Sequence, residues 1–178
     1  MKSNQKANYI IGIDIGGTIT EIAGIGGDGS LSCLQVRATD PLASLYGAFG
    51  KFLSQNGIHL DQIQHIMVTG VGSSALKEAI YGIPTSIVDE FYCTGRGGLY
   101  LSDLEEGIIV SMGTGTAFVY ATPDKIEHLG GTGIGGGTLV GLSNAVLNVR
   151  DIKNLVKLAQ KGDLRRVDLA IGDITTNA

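Results

Sequence analysis

Gly12-Ile13-Asp14-Ile15-Gly16-Gly17-Thr18 ends the first apolar run of the sequence, and Ser111-Met112-Gly113-Thr114-Gly115-Thr116 ends a second run built the same way. Around the first, residues 9–15 read as a buried strand, Gly16-Gly17-Thr18 as a tight reversal and residues 19–25 as the returning strand. Gly26-Gly27-Asp28-Gly29 supplies residues that tolerate positive φ, which predicts a hairpin into a third strand at 31–36. From Pro41 the apolar residues Leu42, Leu45, Tyr46, Phe49, Phe52 and Leu53 recur at helical spacing, and Gly57 ends the helix. A strand at 65–69, a helix at 73–81, a strand at 85–88 and a helix at 90–101 follow, giving the order βββαβαβα.

The opening then recurs. Residues 107–112 read as a strand, Gly113 to Thr116 as its turn and 117–121 as the returning strand, with a hairpin at Pro123-Asp124 into a third strand at 125–129. A glycine-rich stretch, helices at 138–147 and 152–161, and the start of a further element at 167–171 complete the chain. Setting Ser111-Met112-Gly113-Thr114-Gly115 on Asp14-Ile15-Gly16-Gly17-Thr18 reveals an internal duplication of pattern. The expected organisation is a first domain over 1–103 and a second over 104–178. The second has fewer residues than a full copy needs, so the chain is expected to be a portion of a longer one or an unusually trimmed member, with little activity by itself. Two phosphate-facing hairpins from similar domains are the arrangement of the actin, hexokinase and Hsp70 group. By this analogy the fold class is α/β, a duplicated actin/hexokinase (ribonuclease H-like) fold with its second domain incomplete.

Composition narrows the functions. Among 178 residues there are 28 glycines, roughly twice the usual ~7%, and they cluster where backbone must turn or lie against a ligand. A net charge of −4 without a basic stripe argues against a nucleic-acid partner. Cys33 and Cys93 stand in no CxxC or metal-ligand spacing and read as free thiols of a reducing cytosol. The apolar stretch after Lys2 and Lys6 is broken by Asp14, so no secretory signal is expected. Residues 129–149 carry no charge, but seven glycines with Thr132, Thr138, Ser143, Asn144 and Asn148 make them a loop and a helix, not a membrane span.

Four elements carry candidate chemistry. At Asp14 to Thr18, glycine N–H groups can face phosphate oxygens while the carboxylate holds Mg²⁺ directly or through water, which suits phosphoryl transfer. The competing account is a plain hairpin with Asp14 as a local hydrogen-bonder. Ser111 to Thr116 is a second candidate phosphate loop. Residues 130–138, Gly-Gly-Thr-Gly-Ile-Gly-Gly-Gly-Thr, precede a helix whose N-terminus could cradle nucleotide phosphates, or else form a flexible linker. Asp89-Glu90 begins a helix, where both carboxylates are favourable as cap and first-turn residue, or where one is a general base toward a substrate hydroxyl. Chemistry alone leaves that choice open.

Taken together, these motifs resemble the type II pantothenate kinases. The matching stretches are Gly12 to Thr18, Val68-Thr69-Gly70, Val88-Asp89-Glu90-Phe91, Met112 to Thr116, Gly130 to Thr138 with Gly141-Leu142, and Val167-Asp168-Leu169 with Gly172-Asp173-Ile174. The resemblance implies an enzyme moving the γ-phosphate of ATP to the primary hydroxyl of pantothenate, in coenzyme A biosynthesis in the cytoplasm. It implies Glu90 as proton acceptor, Asp14 at Mg²⁺, Gly16, Gly17, Thr18 and Thr114 at phosphates, and Gly136, Gly137, Thr138, Leu139 and Val140 at the nucleotide. It also implies Thr114 and His128 at pantothenate, a homodimer, and feedback by coenzyme A or its thioesters. Two positions depart from the pattern. Glu21 stands where many members have a lysine, and His128 where the family has an arginine, a weaker and pH-dependent anchor. An ATPase activator of the acyl-CoA dehydratase type, which shares the first motif, and a non-catalytic nucleotide sensor are the other two readings.

Overall fold

The computed structural model describes residues 9–38, 40–168 and 173. Packing divides them into two units, one holding the chain to Ile109 together with Phe118–Leu129, the other Val110–Ala117 together with the chain from Gly130.

The first unit is built on β1 (Tyr9–Ile15), the middle of a sheet ordered β3-β2-β1-β4-β5 with β2 (Ile19–Ile25), β3 (Leu31–Arg37), β4 (Ile63–Thr69) and β5 (Thr85–Ile87). β2 pairs antiparallel with β1 and β3, whereas β4 lies parallel to β1 and β5. The alternation of side chains along a strand assigns the faces. Ile11, Ile13 and Ile15 are buried against α1 (Pro41–Asn56), which presents Leu45, Ala48, Phe49 and Phe52 to them. Gly12 and Asp14 emerge on the opposite face. Burying each large side chain of that cluster contributes about 1.5–3 kcal/mol, and Ile22, Ile66 and Val68 complete it.

Local sequence sets the ends of α1. Asp40 accepts a hydrogen bond from Ala43 N at 2.8 Å, Pro41 opens the first turn, and Gly57 closes the helix in the left-handed region at φ 64°.

One expected helix does not form. In place of a helix at 73–81 the chain makes two 3₁₀ turns, Val71–Ala75 and Ile80–Gly82, separated by extended backbone at Leu76 and Ala79. Tertiary contacts override the local periodicity. Ile80 is fully buried and its N–H is taken by Thr85 Oγ1, while Tyr81, at φ 50°, places its ring against Tyr46 and Phe49.

Helix α2 (Glu90–Ser102) is capped by Asp89, which accepts from Tyr92 N at 2.8 Å. It meets β7 (Thr116–Ala121) and β8 (Ile126–Thr132) through glycine. Gly95 lies flush against Val119 and Ile126, and Gly98 against Ile109 of β6 (Gly107–Met112), so any added Cβ would collide. These three strands form a sheet ordered β6-β7-β8.

In the second unit β8 runs three residues further than the hydrophobic pattern predicts, to Thr132, and α3 (Gly136–Leu147) starts two residues earlier than expected. The loop proper thus shrinks to Gly133–Gly135. α4 (Ile152–Ala159) follows, then a 3₁₀ turn at Leu164–Arg166. Of the element expected at 167–171, only Val167 and Asp168 are among the described residues. Among the described residues, no helix is long and apolar enough to cross a membrane.

Candidate functional site

Asp14 occupies the C-terminal end of the central strand, between Glu21 of β2 and Thr69 of β4 in register. It is half-buried. Burial first, then the charge of Glu90, then that of Glu21 push its carboxyl above the usual carboxylate range. Glu21 in turn accepts from Gln35 Nε2 at 2.8 Å. One Asp14 oxygen lies against Gly70, where a Cβ would overlap it and stand 2.7 Å from the Ile15 carbonyl oxygen; Gly70 also holds φ at 86°. Only glycine meets both demands without strain. Beside it, the Thr69 hydroxyl is buried with no well-formed hydrogen bond. It neighbours Cys93, whose thiol burial pushes up.

Glu90 is exposed at the first residue of α2, and its charge reaches Asp14. Asp89 takes the capping role, which frees Glu90 from it. Of the remaining residues singled out from sequence in this unit, Gly16 packs tightly, an added Cβ lying 2.7 Å from Ile19 O, while Gly17 and Thr18 are exposed. His128, on β8, stacks its ring on Phe91 at 3.8 Å between centroids and 6° between planes. A groove of about 890 Å³ opens on this face of the sheet, lined among others by Asp14, Glu21, Thr69, Cys93, Arg96 and Tyr100.

The second unit joins its own two glycine segments. Gly113 N donates to Gly115 O at 2.9 Å, closing the turn between β6 and β7, and Gly136 N donates to Gly113 O at 2.8 Å. A Cβ on Gly135 would stand 2.5 Å from Thr114 O, so the start of α3 can rest on the Thr114 turn only through glycine. Thr116 Oγ1 donates to Ile134 O at 2.8 Å, and Thr138 Oγ1 approaches Gly133 O at 3.4 Å. No side chain caps α3, which leaves the positive end of its dipole for an anion. Thr114, Gly136, Gly137 and Thr138 are therefore neighbours, with Leu139 and Val140 one turn along.

Sequence reasoning assigned no role to Thr69, Gly70 or Phe91. Strand-to-strand register, which places Thr69 beside Asp14, was the missing signal.

Among the described residues no group of three or more acidic, histidine or cysteine side chains could cage a metal ion. The carboxylates that do converge fit Mg²⁺, an ion that usually takes one or two carboxylates and fills its other positions with water and phosphate. Asp14, its carboxyl pushed up by burial first and then by the charges of Glu90 and Glu21, is the residue that would hold it.

The sheet order, the helix on one face and the repeated strand–turn–strand unit define an α/β protein of the actin/hexokinase type. Solved structures agree on the fold. The activator of 2-hydroxyisocaproyl-CoA dehydratase from Clostridium difficile with bound ADPNP is similar over 87% of this chain and 57% of its own, at a TM-score of 0.69 and 16% identity. Component A of (R)-2-hydroxyglutaryl-CoA dehydratase from Acidaminococcus fermentans is similar over 88% and 60%, at 0.71 and 16%. By sequence the chain is similar to the type II pantothenate kinases. Those of Bacillus cereus (strain ATCC 10987 / NRS 248) and Staphylococcus aureus (strain USA300) are 31% and 30% identical over 92% of this chain. Residues 107–178 match the family model described as Fumble. The chain spans 58% and 59% of the length of these two relatives.

Proposed function

We propose that the protein phosphorylates the primary hydroxyl of pantothenate at the expense of ATP, with Glu90 as general base. The observation that carries this reading is the placement of Glu90, released from capping by Asp89 and close enough to Asp14 for their charges to interact. Glu90 accepts the hydroxyl proton as the substrate oxygen bonds to the γ-phosphorus and the bond to the ADP oxygen breaks. Mg²⁺, when bound, neutralises charge on the phosphates. Asp14 holds it, with Gly16, Gly17 and Thr18 offering backbone N–H groups to phosphate. Thr114 and the uncapped start of α3, from Gly136 to Val140, take the remaining nucleotide phosphates. Thr114 and His128 contact pantothenate.

Identity near 30% with kinases, against 16% with dehydratase activators, favours the kinase over ATP hydrolysis coupled to a partner, and neither Cys33 nor Cys93 stands in a cluster-binding motif. On the same resemblance we include two domains over 1–103 and 104–178, a homodimer, a cytoplasmic location, and feedback by coenzyme A or its thioesters. The test is the complete protein with Mg-ATP and a panel of pantothenate, pantetheine and sugars. ATP consumption without phosphorylation of any acceptor would favour the activator, and nucleotide binding without turnover the sensor.

A further inference from the structure

No hydrogen bond to the Glu90 carboxylate is found among the described residues. Its aim is therefore set by where α2 begins and how its first turn is rotated. Phe91, Gly95 and Gly98 share one face of α2, at spacings of four and three. Two of them are glycines pressed against Val119, Ile126 and Ile109. A glycine contact brings helix and sheet close, but it has no side chain to stop the helix from rotating or sliding. The ring at the head of that face does. Phe91 is half-buried and lies parallel to the His128 ring at 3.8 Å, while one turn on Arg96 Nη1 donates to Pro123 O at 2.8 Å. Both contacts run from α2 to the β7–β8 hairpin.

We infer that Phe91 is a positioning residue: its stack on His128 fixes the first turn of α2 and with it the direction of the Glu90 carboxylate. The stack links the proton acceptor to the imidazole that meets the substrate's other end. This rests on the reading of Glu90 as base and His128 as substrate contact. A planar ring at 91 preserves the contact and an aliphatic side chain does not, whereas a phenylalanine at 128 preserves the stack without ring nitrogens.

The experiment compares Phe91→Leu, Phe91→Tyr, His128→Phe and Glu90→Gln in the complete protein, by steady-state kinetics with both substrates and by the proton shifts of the His128 ring. Displacing a reacting group by about an ångström costs up to ~10²-fold. Phe91→Leu is expected to lower kcat by about tenfold or more, leave the KM for ATP within about twofold and abolish the ring-current shift at His128. Phe91→Tyr retains all three. His128→Phe, which removes the ring nitrogens from the proposed substrate contact, is expected to raise the KM for pantothenate. Wild-type kcat in Phe91→Leu, or equal losses in Phe91→Leu and Phe91→Tyr, overturns the inference. If Phe91→Leu does not fold, Phe91→Met takes its place, with the same kcat loss expected and wild-type kcat the overturning result. Full turnover in Glu90→Gln overturns the base assignment and this inference together. That outcome is distinct from failure of the inference alone, in which Glu90→Gln is impaired and Phe91→Leu is not.

Discussion

Asp14 and Glu21 are direct partners across the β1–β2 ladder, two carboxylates on the same side of the sheet with no cation between them among the described residues. Like charges in that position are destabilising. The pair persists beside the residues assigned to phosphoryl transfer, where a bound divalent ion would relieve the repulsion.

Asp14→Asn is therefore expected to stabilise the metal-free protein at neutral pH while removing most turnover. The folded carboxyl binds its proton more tightly than the unfolded one. Stability is then full below the ordinary carboxylate range and falls as pH rises through the higher folded value. Melting temperature against pH checks this: the wild type loses stability across that window, and the Asp14→Asn variant does not. Retained turnover at saturating Mg²⁺ would remove Asp14 from the metal.

Glu21→Lys replaces repulsion by attraction at the cost of the Gln35 hydrogen bond. The expected gain is up to about 1 kcal/mol at neutral pH, vanishing once Asp14 is protonated, with tighter Mg-ATP binding. Thermal melts at two pH values and calorimetry of ATP binding measure both. A gain of equal size at both pH values would show that Asp14 is not the partner.

Gly70→Ala places a methyl against the Asp14 carboxylate in a backbone conformation that suits only glycine. A loss of about 1–3 kcal/mol is expected. Part of it should return in the Asp14→Ala, Gly70→Ala double variant, where the colliding carboxylate oxygen is gone and only the Ile15 carbonyl remains against the methyl. Simple additivity in denaturant unfolding would mean that the strain lies wholly in the backbone.

Glu90→Gln keeps the shape and removes the proton-accepting charge. If Glu90 were only a first-turn partner of the helix dipole, about 0.3–1 kcal/mol of stability would go and little rate. As a general base it contributes ~10²–10⁴ in rate, about 3–5 kcal/mol. A kcat loss of at least ~10² with ATP affinity intact is expected; a melting shift without it would leave the base unassigned.

The pattern of the chain made most of this fold legible. Alternation along 9–15 and 19–25, and the periodicity from Leu42 to Leu53, correspond to β1, β2 and α1 within a residue or two. The sequence misled at 73–81, where Leu76 and Ile80 look helical but serve a core that the local string does not encode. The glycine run at 130–138 reads as one loop, yet Gly130 and Gly131 extend a strand and Gly136 and Gly137 begin a helix. Motif reading found Asp14 and Glu90 as types. It could not find that Thr69 and Gly70 lie beside Asp14, or that His128 reaches Phe91, because these contacts span dozens of residues and depend on tertiary packing.

The parallel pairing of β1 with β4 also sets an order of assembly. A hairpin can deliver β2 to β1 within a few residues, but Thr69 must cross the whole of β2, β3 and α1 before it can lie beside Asp14. Contacts of that separation are slow to close. During synthesis, β1 emerges with four isoleucines between residues 10 and 15 and one edge unpaired until residues 63–69 have followed. Throughout that interval the nascent segment is a strand seeking a neighbour, open to pairing with other chains. The seam on which the chemistry is proposed to depend is thus also the one that closes late.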